Sequence, residues 1–220
     1  MSALGPTPTI PTTAAQSLGW QARKSASTRL QIIEAALRCF IDLGYCRTTT
    51  AVVASSAGLS RGAMLHHFPT RADVVRAAVQ HLHAKRLKAF RTAVENLPSG
   101  VDRLRGTLEA YWEQANHPMY AVFLELSVAA RTDPELAAIL EPAEAAFERE
   151  LRRTSMELFP EWRDLGENFD LGFDLLISVM DGCAVSFLKH RDQAPKRRVL
   201  RYLEARLDEL TRPPDHRAQT

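Results

Sequence analysis

The sequence contains little that would staple, anchor or metallate a fold. Cysteine occurs three times in 220 residues, at Cys39, Cys46 and Cys183. None belongs to a C-x-x-C pair, and an odd count does not suit a disulfide framework. A reducing, cytoplasmic setting is the expectation, with Cys39 and Cys183 buried as small hydrophobes and Cys46 near a helix end. No apolar run approaches the roughly 20 residues that span a bilayer, so no membrane partner is expected. The first 22 residues carry no charged side chain and no compact apolar run, which is not the pattern of a signal peptide. Sustained period-2 alternation is missing, and so is any internal repeat. There is no nucleophile–base set, metal motif or glycine-rich phosphate loop, which argues against an enzyme and against a cofactor. The histidines at 66, 67, 81 and 83 do not change this. Neighbours diverge by about 100° on a helix, i,i+2 pairs do not share a face, and no carboxylate or thiol stands beside them at ligand spacing.

The remaining composition is that of an ordinary globular chain, 45% hydrophobic and 25% charged. Its length suits one large domain or two small ones. A net charge of +2 conceals a division. Arg23 to Arg91 carry 12 basic and 3 acidic residues, a balance of +9, whereas Thr92 to Thr220 carry 16 basic and 23 acidic residues, a balance of −7. A basic block on a near-neutral chain suits a polyanionic partner for that block alone.

Residues 1–25, with Pro6, Pro8 and Pro11 among Thr, Ala and Ser, are expected to form a disordered arm. The rest has helical periodicity, giving an all-α fold of about nine helices. Leu30, Ile33, Leu37, Phe40 and Ile41 form the apolar side of a first helix that Gly44 stops. A short helix over Thr50–Ala57, a turn at Gly58-Leu59 and a second short helix from the cap Ser60 to Phe68 follow. Pro69 ends the latter, and Thr70 opens a long helix to about Glu95. Five more helices are expected over Val101–Ala115, Pro118–Arg131, Pro134–Phe159, Glu167–His190 and Pro195–Leu210, with a frayed tail over 212–220.

Two short helices joined by a glycine-containing turn form a DNA-reading unit, at about residues 48–67 within a domain spanning 26–85. Met64 and Phe68 fall on its inner side. At about 100° per residue, Gly62 and His66 lie opposite Met64, flanked by Ala63 and Leu65. Arg61 can pair with a guanine edge or a phosphate, Gly62 admits close backbone approach, and Ala63 and Leu65 can touch a thymine methyl. His66 and His67 can donate to phosphates. Thr49 and Thr50 offer hydroxyls and free N–H groups at a helix start, where they can hold a phosphate or merely cap the helix, and Ser60 does the same one helix later. Arg71 is placed to clamp a phosphate from the other side.

The stretch from Thr48 to Arg71, TTTAVVASSAGLSRGAMLHHFPTR, resembles the DNA-binding signature of the TetR family of transcriptional regulators, and the likeness extends from Ser27 to about His83. Leu65 stands where the family often has Tyr, and Ala51 where some members carry a DNA-contacting Arg, so operator sequence does not carry over. The resemblance implies a regulator that binds double-stranded operator DNA as a homodimer, usually as a ligand-released repressor, with an activator on the same fold as the alternative. A small-molecule-binding protein or enzyme of all-helical fold is the reading from a different class. It also implies that the acidic part, 86–211, binds ligand and dimerises. Val179–Cys183 resembles a small-residue stretch of the penultimate helix. The stripe Val199, Leu200, Leu203, Leu207 and Leu210 belongs on the last helix, and these two helices are the expected dimer seam. A pocket for an apolar or aromatic effector is expected among Phe90, Tyr111, Trp112, Tyr120, Phe123, Ser127, Phe147, Met180, Cys183 and Phe187, each of which could also be plain core. Asp174 and Asp181 share a face and can meet a ligand or pair with an arginine.

Overall fold

A computed structural model describes residues 13–99, 102–189 and 194–211. Among them are nine α-helices, one 3-10 helix and no strand. They are α1 (Thr13–Leu43), α2 (Thr50–Ser56), α3 (Arg61–His67), α4 (Arg71–Glu95), α5 (Arg103–Ala115), α6 (Pro118–Ala130), α7 (Pro134–Leu158), the 3-10 helix Pro160–Leu165, α8 (Glu167–Lys189) and α9 (Ala194–Thr211). None is long and apolar enough to cross a membrane.

Two features depart from the sequence expectations. First, helix α1 begins at Thr13, so the part of the expected arm from 13 to 25 is helical, while 1–12 lie outside the described residues. Beyond Pro11 this segment has no proline and is rich in Ala, Gln, Arg and Lys, which favour a helix once α1 has nucleated it. Second, a 3-10 turn joins α7 to α8, starting at Pro160.

Most helix starts carry a side-chain cap. Thr49 caps α2 and Ser60 caps α3, accepting from Val52 N at 3.3 Å and Ala63 N at 3.1 Å. Thr70 and Asp73 form a capping box on α4. Asp133 caps α7, accepting from Leu136 N at 3.0 Å. Proline stands in the first turn of α6 and of α7, where its missing N–H is harmless.

The buried side chains fall into two main clusters. The first gathers Ile32, Phe40, Val53, Met64, Phe68, Val75, Val79 and Leu82 from α1 to α4, and also Val122 and Leu126 of α6 and Leu136 and Ile139 of α7. The second joins Phe90 and Val94 of α4 to Leu108, Tyr111, Leu151, Phe159, Phe169, Phe173, Met180, Leu203 and Leu207. Helix α4 is thus common to both, and α6 and α7 pack into the core of the DNA-reading unit. The division near residue 85 is a change of partners along one helix rather than a gap between domains.

Tyr45, between α1 and α2, closes the join. Its N–H donates to Glu125 Oε1 of α6 at 2.8 Å and its hydroxyl to Asp133 Oδ2 at 3.1 Å. Arg71, opening α4, donates to the Tyr45 hydroxyl at 3.0 Å, to the Tyr45 carbonyl at 2.7 Å and to the Thr48 carbonyl at 3.1 Å, with its guanidinium 4.0 Å from the Tyr45 ring centre. Gly44 makes the turn possible. Its φ is +82°, and a Cβ there would sit 2.8 Å from Glu125 Oε1. Gly44→Ala should therefore lower unfolding free energy by about 1–2 kcal/mol from the left-handed backbone alone. Urea denaturation checks this, and an unchanged midpoint would show that the turn relaxes without cost.

Candidate nucleic-acid interface and ligand-binding region

Helix α3 is held from behind and left open in front. Met64 and Phe68 are fully buried. Arg29 of α1 donates to the His67 carbonyl at 2.6 Å and lies 4.1 Å over the Phe68 ring, placing a cation at the C-terminal end of α3. Gln31 donates to the Ala57 carbonyl at 2.7 Å, fixing the turn between α2 and α3. Gly58 supplies that turn with a φ of +66°.

Arg61, Gly62, Ala63 and His66 are exposed on the opposite side, and Leu65 and His67 are half-buried at its edge. Thr49 and Ser60 are exposed and Thr50 half-buried, so two capped helix starts lie beside α3. This is a convex, capped helix face with one arginine, one glycine and histidines. It can enter a groove and meet phosphates at its flanks. Arg71 is employed differently from the sequence expectation. All three of its guanidinium nitrogens are engaged within the chain, so it braces the α1–α2 turn instead of reaching for a phosphate. Sequence reading also passed over Tyr45 and Arg29, which position the reading helix. Tyr45 carried a signal, a lone aromatic directly after the helix-stopping Gly44.

In the larger helical part, the expected lining residues do not share one cavity. Phe90 and Tyr111 border an apolar chamber together with Leu104, Leu108, Leu151 and Phe173, with no charged side chain among its walls. Its open space is about 50 Å³, far below the roughly 300–1,000 Å³ of a ligand pocket. Met180 is fully buried core and Cys183 is buried. Trp112 borders a different groove, with Arg105, Arg197 and Arg201. The Phe187 side chain lies outside the described residues.

Tyr120, Phe123 and Phe147 instead surround Arg86 of α4, whose guanidinium carbon is 4.7, 4.9 and 4.5 Å from their ring centres. His83, one turn earlier, stacks on Phe147 at 4.6 Å. Tyr120 donates to Asp181, and Ser127 donates to Glu144 at 3.1 Å. Burial pushes both carboxyl groups above the usual range. Asp174, two turns before Asp181 on α8, pairs with Arg152 of its own chain. Sequence reading missed Arg86, His83 and Glu144. Their signal was positional, since His83 and Arg86 interrupt the stripe from Val79 to Phe90 at helical spacing.

The last-helix stripe also resolves differently. Leu203 and Leu207 are buried in the second core of their own chain, and Leu200 and Leu210 pack against it. The uncovered apolar row is on α8, where Leu171, Leu175, Val185 and Leu188 are exposed and alternate with exposed Ser178 and Gly182. Val199 and Tyr202 extend it onto α9.

A capped two-helix reading unit at one end of a helical bundle defines a DNA-binding transcriptional regulator of the helix-turn-helix class. Residues 32–78 match the bacterial regulatory proteins of the TetR family. The DNA-binding region of the chain is thus of the TetR type. An uncharacterized HTH-type transcriptional regulator of Mycobacterium tuberculosis is 28% identical over 170 residues, 75% of this chain and 85% of that protein. The transcriptional repressor AcnR of Corynebacterium glutamicum is 34% identical over 116 residues, 52% of this chain and 57% of that protein. The solved structure of the multidrug binding protein EbrR complexed with ethidium superposes with a TM-score of 0.59 at 20% identity, covering 83% of this chain and 98% of that one.

One pH effect follows from His83. Burial, reinforced by the neighbouring Arg86 charge, pushes its pKa down from 6.5 to about 4. The folded protein holds it neutral while the unfolded chain protonates it, so its contribution is complete above about pH 6.5 and is lost as the pH falls toward 4. The loss should reach about 3 kcal/mol at 1.4 kcal/mol per unit. Urea titrations from pH 7 to 4 should show a steeper decline for the wild type than for His83→Leu, and parallel declines would contradict the assignment.

Proposed function

We propose that this regulator is a homodimeric repressor that reads a palindromic operator with α3 and is released by a small-molecule effector bound in the helical part. The observation that carries the reading is the outward face of α3. Arg61, Gly62, Ala63 and His66 are exposed on a helix whose opposite side is locked into the core. Arg61 is suited to a guanine edge, Ala63 and Leu65 to a thymine methyl, and His66, His67, Thr49, Thr50 and Ser60 to phosphates. The charge division supports the same orientation, since the +9 segment contains this face.

Dimerisation is supported by the uncovered row on α8 and its continuation on α9. The steps from Leu171 through Leu175, Ser178, Gly182 and Val185 to Leu188 are four or three residues, one side of a helix, and the small residues would let a second helix approach closely. A two-fold dimer matches half-sites about 34–36 Å apart. Release by an effector is supported by α4, which runs from the reading unit into the second core, and by the relatives, among which AcnR is a repressor and EbrR binds ethidium. Releasing DNA requires the effector to favour the non-binding arrangement by several kcal/mol.

Footprinting with the purified protein should protect a two-fold symmetric site. Arg61→Ala should weaken operator binding about tenfold or more without altering thermal stability. Leu188→Asp should shift the sedimenting species from dimer to monomer and lower operator affinity with it. A wild-type protein that protects no symmetric site, or an Arg61→Ala variant that binds as tightly as wild type, would contradict the reading.

A further inference from the structure

Arg86 is poorly satisfied for a guanidinium in the middle of a protein. Its Nε and Nη1 are buried and find no hydrogen-bond partner, and it makes no ion pair within 4.0 Å among the described residues. Buried donors left in this condition are costly, and in native proteins nearly all are completed by protein, ordered water, an ion or a ligand. Both ring nitrogens of His83, stacked on the same Phe147, are also unpartnered. The two carboxyl groups facing the cluster are already served, Asp181 by Tyr120 and Glu144 by Ser127. The orphaned groups of the cluster are therefore chiefly N–H donors, which an additional acceptor would complete.

Space lies beside it. Arg86 and Tyr120 form one wall of a groove of about 570 Å³ whose other walls include Leu37 and Ile41 of α1, Leu82 of α4 and Met119 of α6. That volume is ligand-sized, whereas the apolar chamber at the far end of the bundle offers about 50 Å³ and no charged group. Leu37, Ile41, Leu82 and Met119 give the groove an apolar stretch, Glu34, Arg38, Lys85 and Glu113 also line it, and the Arg86 guanidinium on its wall is ringed by Tyr120, Phe123 and Phe147.

We infer that this groove is the effector site and that its ligand is an apolar organic acid, its carboxylate paired with Arg86 and its body lying between α1, α4 and α6. The inference rests on the effector-released reading and deepens it. A carboxylate would supply the acceptor that the unpartnered Arg86 N–H groups lack, in charge-assisted bonds that are stronger than neutral ones. The aromatic rings shield that pair from water. The position explains how occupancy reaches DNA: the ligand's body touches α1, which holds the C-terminal end of α3 through Arg29 and the α2–α3 turn through Gln31. A ligand wedged between α1 and α4 therefore acts on the reading helix through one intervening element.

The test compares 2-naphthoate with 2-naphthamide, which share a body and differ in charge, by titration calorimetry on the full chain. Wild type should bind the acid at least tenfold more tightly than the amide. Arg86→Gln should abolish that preference, and Arg86→Lys should retain part of it. Circular dichroism and operator binding of each variant report whether it folds, and the acid–amide comparison on wild type stands even if Arg86→Gln does not. Equal affinity for acid and amide, failure of the wild type to bind the acid, or an Arg86→Gln variant that keeps the preference would overturn the inference. An operator complex dissociated by the neutral amide but not by the acid would overturn it while leaving the effector-released regulator intact. A protein that binds no operator would instead remove the reading on which the inference depends.

Discussion

One uninterrupted helix belongs to two hydrophobic cores, and everything else in the structure is arranged around that constraint. Over its 25 residues, about 37 Å of rise, α4 contributes Val74, Val75, Ala78, Val79 and Leu82 to the core of the reading unit and Phe90 and Val94 to the core beyond it. A helix buried along this length cannot tilt in one core without disturbing the other. Its first residue, Arg71, is fastened to Tyr45, and Tyr45 is fastened in turn to α6 through Glu125 and to the start of α7 through Asp133. The reading helix is therefore coupled to the bundle at two places, along α4 and across the α1–α2 turn. A regulator needs such a coupling, because a ligand alters DNA affinity only if it favours one arrangement of the reading unit over another.

Chemistry is divided along the same axis. At one end, the exposed face of α3 is small, polar and basic, and beside it lie the capped starts of α2 and of α3 itself. In the middle, α4 turns a buried arginine and a neutral histidine toward aromatic rings. At the far end the core is apolar. Among the described residues, the buried polar side-chain atoms without partners belong to His83 and Arg86 in this middle region and to Asn116 at the end of α5. The proposed DNA-reading unit and the proposed effector groove thus adjoin successive stretches of one helix pair, α1 and α4.

Much of this was legible in the sequence, and the failures have physical causes. Helix boundaries were readable because the chain announces them: Gly44 and Gly58 at positive φ, Thr49, Ser60, Thr70 and Asp133 as caps, and Pro118 and Pro134 in first turns. The inward and outward sides of α3 followed from helical periodicity, since Met64 and Phe68 have only one core to enter. The helix over 13–25 was missed because its composition is polar and its apolar periodicity weak; it is an extension of α1 with little tertiary burial where described. The stripe on α9 was legible as a stripe, but periodicity does not say whether an apolar face meets its own chain or another. The residues around Arg86 were hardest. A charged residue on a helix is ordinarily assigned to the solvent side, and only packing from α6 and α7 reveals that Arg86 is enclosed. Arg71 failed for the opposite reason: its position next to the reading unit suggested DNA, while the Tyr45 carbonyl and hydroxyl claimed its donors first.

In the proposed mechanism, α4 and the Tyr45 turn carry the state of the bundle to the reading helix. Cys46 lies in that turn and is exposed, whereas Cys39 and Cys183 are buried, so a spin label can be placed there without substitution. The most direct measurement is the Cys46–Cys46 distance across the dimer by pulsed electron resonance, in the free protein, bound to operator, and in the presence of a compound that dissociates the operator complex. Coupling through α4 and the Tyr45 turn should give a broad distribution in the free protein, a single narrow distance on operator, and a different mean with the releasing compound. One unchanged distribution in all three states would mean that the reading heads do not move with the bundle, and would contradict it.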